Sequence, residues 1–209
     1  MEHWESIRAQ RLALADQLEG LTAEGWATPS LCDAWTVRDV AAHLIVPHVV
    51  SIPRFGRSLV GARGRFPAAN VAMTTDVARQ PTDVLLADLR RFAASHARPP
   101  IFDSSAPLTE ILVHGQDIRV PLGLPAEPRV DLWTASLAFL VQPRARFGFV
   151  QTRLRGLRLV ATDSGWAHGS GDEARGPAGA LALTVLGRTV RAGELDGPGA
   201  AQLTARVGG

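Results

Sequence analysis

Apolar residues recur at helical spacing through the first 123 residues of the chain, and turn-forming residues separate them into four stripes. Each stripe can line one face of an amphipathic helix, and each then needs a partner surface to cover it. Four such helices with one long connection predict a helical bundle. The stripes are Trp4, Ile7, Leu14, Leu18 and Leu21; Val37, Val40, Ala41 and Leu44; Leu85, Leu89 and Phe92; and Leu108, Ile111, Leu112, Gly115, Ile118 and Leu122.

Local signals place the ends of the second helix and the connection after it. Thr36 and Asp39 form a capping pattern, which starts the helix at about Val37. Pro47 marks either a kink in that helix or its exit. Residues 53–80 are rich in Arg, Gly and Pro, so they are predicted to form a long connection with partial helix.

The remainder of the chain has a mixed pattern. Residues 131–141 are predicted to be a fifth helix, and Leu157, Leu159 and Val160 alternate as in a strand. The last stretches are predicted to be a glycine-rich loop over 169–179, a short helix or strand over 180–186, and a strand with a turn over 187–197. The predicted fold class is therefore mainly α with a small α+β domain, divided into a helical bundle over 1–147 and the α+β domain over 148–209.

Composition excludes several classes of function. All 22 basic residues are Arg, yet the formal charge is only +2, too small to argue for nucleic acid as a partner. A single cysteine, Cys32, excludes an intramolecular disulfide and predicts a cytoplasmic protein. No apolar run approaches the roughly 20 residues that span a bilayer, so no membrane partner is expected.

The residues with the most specific chemistry are His43, Glu110 and His114. Two imidazoles and one carboxylate are the ligands of a zinc-type ion that keeps one position open. Glu110 and His114 are four residues apart in the predicted fourth helix, about 104–122, and share one face of it. Asp117, one turn further, is placed to orient a ligand imidazole. The alternative is a solvated helix face, because a helical wheel puts these side chains beside the apolar stripes.

A longer motif surrounds the first histidine. The segment Cys32–Leu44, CDAWTVRDVAAHL, resembles the C-x-x-W-T-V-R-D-V-x-x-H-L signature of the mycothiol-dependent maleylpyruvate isomerase family, a branch of the DinB-like four-helix metalloproteins. The stretches ATDSGW and GPAGALALTVLGR resemble the sterol-carrier-like C-terminal domain of that family. The resemblance covers nearly the whole chain, and it implies a divalent metal on His43, Glu110 and His114.

The resemblance also implies a chemistry. In that family a divalent metal, usually zinc, holds mycothiol or a similar low-molecular-weight thiol, and a coordinated thiol is deprotonated. The thiolate would add to the activated double bond of maleylpyruvate for cis–trans isomerisation, or would act in an S-transfer. The partners expected are this thiol and a small-molecule substrate, for a monomer or homodimer. The alternative is a non-catalytic binding protein for a small apolar ligand, with a structural or absent metal.

Several other residues are weaker candidates. Arg38 and Arg119 flank the ligand histidines and are candidates for binding an anionic substrate, although exposed or salt-bridged arginines are the commoner case. Cys32 is interpreted as a packing residue rather than a reactive thiol. A further group of arginines is expected near the domain boundary, and the remaining histidines are interpreted as surface or packing residues. These two sets are Arg144, Arg146, Arg153, Arg155 and Arg158, and His3, His48, His96 and His168.

Overall fold

The computed structural model describes residues 2–32 and 35–207. Contacts group the chain into an N-terminal unit, Met1–Pro99 with Glu110–Glu127, and a C-terminal unit, Pro100–Thr109 with Pro128–Gly209. This grouping differs from the predicted boundary at residue 147, which stays a prediction about domains. Within the described ranges, no helix is both long enough and apolar enough to cross a membrane.

The N-terminal unit is built from helices. The Thr36 side chain accepts a bond from the Asp39 N–H, and the Asp39 carboxylate accepts one from the Thr36 N–H, which confirms the predicted start at Val37. Pro47 lies inside this helix without ending it. The helices are α1 (Trp4–Leu18), α2 (Ala23–Ala27), α3 (Val37–Val49), α4 (Ile52–Gly61), α5 (Phe66–Val77), α6 (Thr82–Arg91) and α7 (Ser105–Arg119), which enters this unit at Glu110.

The connection predicted over 53–80 is more helical than its composition indicated. It contains α4 and α5, which pack on each other, and α5 also packs on α3. Among its described residues α4 has none that is buried, and α5 buries small or polar side chains such as Ala69 and Thr74 beside Met73. A face of this kind gives no continuous stripe of large apolar residues, so the periodicity was too weak to identify either helix.

A shared core holds these helices together. It takes large side chains from each of the predicted stripes and from α5, so the four stripes are confirmed as inward-facing surfaces. Burying apolar area in this way is the main favourable contribution to folding. Core members include Leu14, Leu18, Val37, Val40, Leu44, Ile45, Met73, Val77, Leu85, Leu89, Ile111 and Ile118.

The C-terminal unit combines helices with a small sheet, and the predicted fold class is confirmed. In the described part of this unit the sheet order is β2-β1-β3, with β1 antiparallel to β2 and parallel to β3. Helix α9 packs on α8 and is buried along its whole length. The elements are α8 (Val130–Leu140), β1 (Leu157–Ala161), β2 (Ala167–Gly169), β3 (Asp172–Gly176), α9 (Ala178–Val185) and α10 (Pro198–Val207), with 3-10 turns at Pro143–Arg146 and Thr189–Glu194.

Two sequence predictions fail in this unit. The stretch 169–179, expected to be a loop, contains β3, and the stretch 187–197, expected to contain a strand, forms a 3-10 turn instead. Gly169 and Gly171 carry the chain from one edge of β1 to the other, with φ of +87° and +121°. A Cβ atom at these positions would lie 2.4 Å from the Leu157 carbonyl oxygen and 2.2 Å from that of Gly156.

An aromatic trio forms a second packing centre in the C-terminal unit. Phe102, Phe139 and Phe149 meet edge to face, with ring centroids 5.1 to 5.8 Å apart. This is the arrangement that the quadrupole of aromatic rings favours. Phe139 belongs to α8 and is 1% exposed, so it stands at the middle of this cluster.

Candidate metal centre

The three residues predicted as metal ligands come together in the N-terminal unit. His43 lies on α3, and Glu110 and His114 lie one turn apart on α7. One donor atom from each falls within 4.8 Å of the others. His43 Nε2 is 3.5 Å from Glu110 Oε1, and the two imidazole rings meet edge to face with centroids 4.8 Å apart. Two nitrogen donors and one oxygen donor fit a zinc-type ion with an open position.

Neighbouring side chains hold His43 in place. The hydroxyl of Thr74, a fully buried residue of α5, is 3.5 Å from His43 Nδ1. The ring of Trp35 lies 5.0 Å from the imidazole at a tilt of 46°. Thr74 gives no signal in the sequence because α5 lacks a continuous stripe of large apolar residues. These contacts leave Nε2 as the nitrogen that faces Glu110.

Asp117 lies beside the second histidine, in the position from which its spacing predicted that it would orient the ring. Its carboxylate oxygen is 2.9 Å from His114 Nδ1, and the residue is fully buried. Because an ionised carboxylate only accepts, Nδ1 carries the proton of this bond and Nε2 keeps its lone pair. This is the usual relation between a ligand histidine and its supporting carboxylate.

Cys32 contacts His114 and Asp117 directly, which a residue that only packs against the core would not do. Its thiol donates to the same Asp117 oxygen at 2.9 Å and lies 3.8 Å from His114 Nδ1. The neighbouring Leu31 N–H donates to the Asp117 carbonyl at 3.1 Å, so the loop before α3 is attached to α7 at two points. Cys32 also packs against the apolar core, so the packing interpretation holds in part. Cys32, His114 and Asp117 form a second group with donor atoms close enough for a metal.

The electrostatics of the site depend on Glu110. Burial raises the pKa of this carboxyl, and the electrostatic influence of His114 and Arg11 acts in the opposite direction. Arg11 is a buried residue of α1 whose guanidinium donates to the carbonyl of Ser95 at 2.9 Å. The Glu110 side chain keeps 30% of its surface exposed, so the donor cluster is open to a small molecule from solvent.

The two arginines predicted to bind substrate are not brought to the metal cluster. Arg38 donates to the carbonyls of Ala78, at 2.6 Å, and Gln80, and so it caps the end of α5. Arg119 is buried, and its Nε donates to the Gln17 side chain at 2.8 Å. These contacts engage both guanidinium groups within the protein, although Nη1 of Arg119 is buried without a hydrogen-bond partner among the described residues. A role in substrate binding stays a prediction for each.

The other histidines lie outside the cluster. His48 stacks on Phe92, and burial together with the charge of Arg11 lowers its pKa to about 4. His96 stacks on Trp4 with centroids 4.1 Å apart. His168 belongs to the C-terminal unit. None of these three has a donor atom in either of the groups that can hold a metal among the described residues.

Replacing Asp117 by asparagine is expected to weaken zinc binding about 10-fold to 100-fold, the usual effect of losing a carboxylate that supports a ligand histidine. The amide lacks the charge that fixes the proton on His114 Nδ1. Competition with a chromophoric chelator measures the affinity, and circular dichroism checks that the helices persist. Asp83→Asn, at an exposed position of α6, is the matched control. Equal affinity of the Asp117 variant and the wild type would contradict the role given to this carboxylate.

Comparisons with known proteins agree with this architecture. Residues 7–100 match the model of the mycothiol maleylpyruvate isomerase N-terminal domain. The chain is similar to the crystal structure of the mycothiol-dependent maleylpyruvate isomerase, at 15% identity and a TM-score of 0.52, and to that of a histidine-to-alanine mutant, at 16% and 0.56. Both alignments cover 95% of this chain and 96% of the other. A search of curated proteins gives no match. Residues 7–100 are thus similar to the mycothiol maleylpyruvate isomerase N-terminal domain, and over nearly its whole length the chain has the fold of those isomerase structures.

Proposed function

We propose that this protein is a metal-dependent enzyme that uses a low-molecular-weight thiol, mycothiol or a close relative, for cis–trans isomerisation or S-transfer. The observation that carries the proposal is the meeting of His43, Glu110 and His114 within 4.8 Å, although they come from two helices and 71 positions separate the two histidines. The family match and the shared fold support the same reading.

The residues of the site have distinct roles in this proposal. His43, Glu110 and His114 hold a divalent ion, with zinc as the expected metal. Asp117 keeps the proton of His114 on Nδ1, and Thr74 contacts Nδ1 of His43. When bound, the ion supplies a Lewis-acid site at which a thiol loses its proton at neutral pH. The exposed part of Glu110 marks the side from which thiol and substrate enter.

The proposal includes a substrate class. An electrophilic small molecule with an activated double bond, such as maleylpyruvate, suits an isomerase, and a leaving group or an epoxide suits an S-transferase. Both reactions need the same deprotonated thiol, so the ligand residues serve either one. The enzyme is proposed to act in the cytoplasm as a monomer or homodimer, without nucleic-acid or membrane partners.

Metal content is the first test of this proposal. The purified wild-type protein is expected to carry close to one equivalent of a divalent metal, and His43→Ala is expected to carry little. Removing one of three protein ligands leaves too few donors to retain the ion. Elemental analysis by mass spectrometry measures both proteins, with His96→Ala as a control at an exposed histidine. Equal metal content in wild type and His43→Ala would contradict the site.

A second assay separates the enzyme from the alternative of a non-catalytic binding protein. Wild-type protein is incubated with mycothiol and maleylpyruvate or a panel of electrophiles, before and after metal removal and again after zinc is restored. The proposal expects turnover that needs both thiol and metal. Turnover that persists without thiol would contradict the thiol-dependent reaction. No turnover with any electrophile while metal is bound would favour a binding protein.

A further inference from the structure

The C-terminal unit has a cationic cavity that the proposed reaction does not use. Its volume is about 580 Å³, and it is lined by Gln151, Arg153, Arg155 and Arg206. Three of these four residues carry a guanidinium group, and no carboxylate lines the cavity. Because Arg keeps its charge at any working pH, such a cavity has a lasting positive potential.

The arginines of this cavity differ from five others in the same unit. Five other guanidinium groups of the unit, those of Arg129, Arg144, Arg158, Arg175 and Arg191, are matched with carboxylates within the chain. Arg153, Arg155 and Arg206 make no ion pair with any residue in the described ranges. Their charges are thus left for a ligand or solvent. The matched pairs are Arg129–Asp131, Arg144–Asp103, Arg158–Glu173, Arg175–Glu173 and Arg191–Glu194.

Arg206 is held in a fixed position at this cavity. Its Nη1 donates to the carbonyl oxygens of Arg153 at 2.8 Å and Arg155 at 3.0 Å. Nη2 donates to the Gln202 side chain at 3.3 Å. These bonds attach α10 to the segment before β1 and hold the Arg206 guanidinium against the backbone that carries Arg153 and Arg155. A guanidinium that is already ordered loses less entropy when it binds an anion.

A second, smaller cavity adjoins the first. Its volume is about 280 Å³, and it shares Gln151 and Arg206 with the cationic cavity. Phe149, Val185 and Leu186 give it an apolar wall. A ligand that reaches both cavities would therefore meet positive charge at one end and hydrocarbon at the other.

We propose that the two cavities form one binding site for an organic carboxylate with an apolar body. The carboxylate lies against Arg153 and Arg155, since guanidinium groups bind carboxylates with paired hydrogen bonds. The apolar body lies along Phe149, Val185 and Leu186, where its burial favours binding. The site lies wholly in the C-terminal unit and does not depend on the metal centre.

Hexanoate and 1-hexanol are suitable probes because they share a hydrocarbon chain and differ in charge. Hexanoate is expected to bind at least about tenfold more tightly than 1-hexanol, in line with the strength of charge-assisted hydrogen bonds. Acetate, which lacks the apolar body, is expected to bind more weakly than hexanoate. Isothermal titration of the full chain at low salt measures all three. Equal affinity for hexanoate and 1-hexanol, equal affinity for hexanoate and acetate, or no binding of hexanoate would overturn the proposal.

Two double variants test whether Arg153 and Arg155 bind the carboxylate. Arg153→Gln with Arg155→Gln is expected to weaken hexanoate binding about tenfold and to leave 1-hexanol binding unchanged. Arg57→Gln with Arg65→Gln changes the net charge equally at exposed positions of the N-terminal unit, and is expected to bind hexanoate like the wild type. If both double variants lose affinity to the same extent, the effect is one of net charge and the proposed site is wrong. Neither pair touches the metal ligands, so zinc content is expected to stay constant and to report on the metal centre separately.

Discussion

Replacing His114 by alanine is expected to lower zinc affinity by more than about 100-fold, beyond the effect of losing a supporting carboxylate. His114 is the residue that belongs to both groups of possible ligands, one with His43 and Glu110 and one with Cys32 and Asp117. The change therefore removes a donor from each group at once. It also leaves the fully buried Asp117 without its imidazole partner. Competition with a chromophoric chelator measures the affinity.

Two further variants test whether the loss of zinc affinity is specific to the His114 imidazole. His168→Ala removes an exposed imidazole from the C-terminal unit and is expected to leave zinc affinity unchanged. His114→Gln keeps a polar side chain of similar size and is expected to fold well while binding zinc poorly. Zinc affinity in His114→Gln equal to that of the wild type would mean that the metal, if bound, is held elsewhere.

Replacing Phe139 by alanine is expected to lower the free energy of unfolding of the C-terminal unit by about 3–5 kcal/mol, the usual cost of deleting a buried aromatic side chain. Phe139 contacts both other rings of the aromatic trio, Phe102 and Phe149. Its loss leaves a cavity and removes two edge-to-face contacts. Hydrogen exchange of the amides in α8 and α9 reports on this unit alone, which matters because a chain of two units need not unfold in one step.

Phe147→Ala is the matched control for this substitution. Phe147 is close in sequence to Phe149 but is 74% exposed. Removing its ring therefore loses little buried apolar surface and opens no cavity. A change within about 0.5 kcal/mol is expected, as for most surface positions. If both variants destabilise the unit equally, the aromatic trio is not the packing centre that its geometry indicates.

The features that could be predicted from the sequence are those that depend on neighbours along the chain. The start of α3 follows from Thr36 and Asp39, which satisfy each other's backbone groups three residues apart. Glu110 and His114 share a face because they are four residues apart on one helix. Their meeting with His43 was inferred from family resemblance, since the helical wheels alone placed all three beside the apolar stripes.

The features that were missed depend on residues far apart in the chain. The thiol of Cys32 and the carboxylate of Asp117 are separated by 85 residues, and nothing near either one indicates the other. Strand β3 has exposed charged residues and forms because β1 offers it a parallel partner. Arg38 carries a charge that suits a substrate, yet its guanidinium bonds to carbonyls at the end of α5. In each case tertiary contacts override what the local pattern favours.

The connection between β2 and β3 restricts which amino-acid substitutions this protein can accept. Every missense change in a glycine codon introduces a Cβ atom, because each other amino acid has one. At Gly169 and Gly171 that atom would fall 2.4 Å and 2.2 Å from backbone oxygens, which have no flexible end that can move aside. The left-handed φ at both residues adds to the strain. Gly169 and Gly171 therefore cannot be replaced by another residue while the sheet keeps its strand order. Ser170, which lies between them, is exposed, so its substitution is expected to be tolerated.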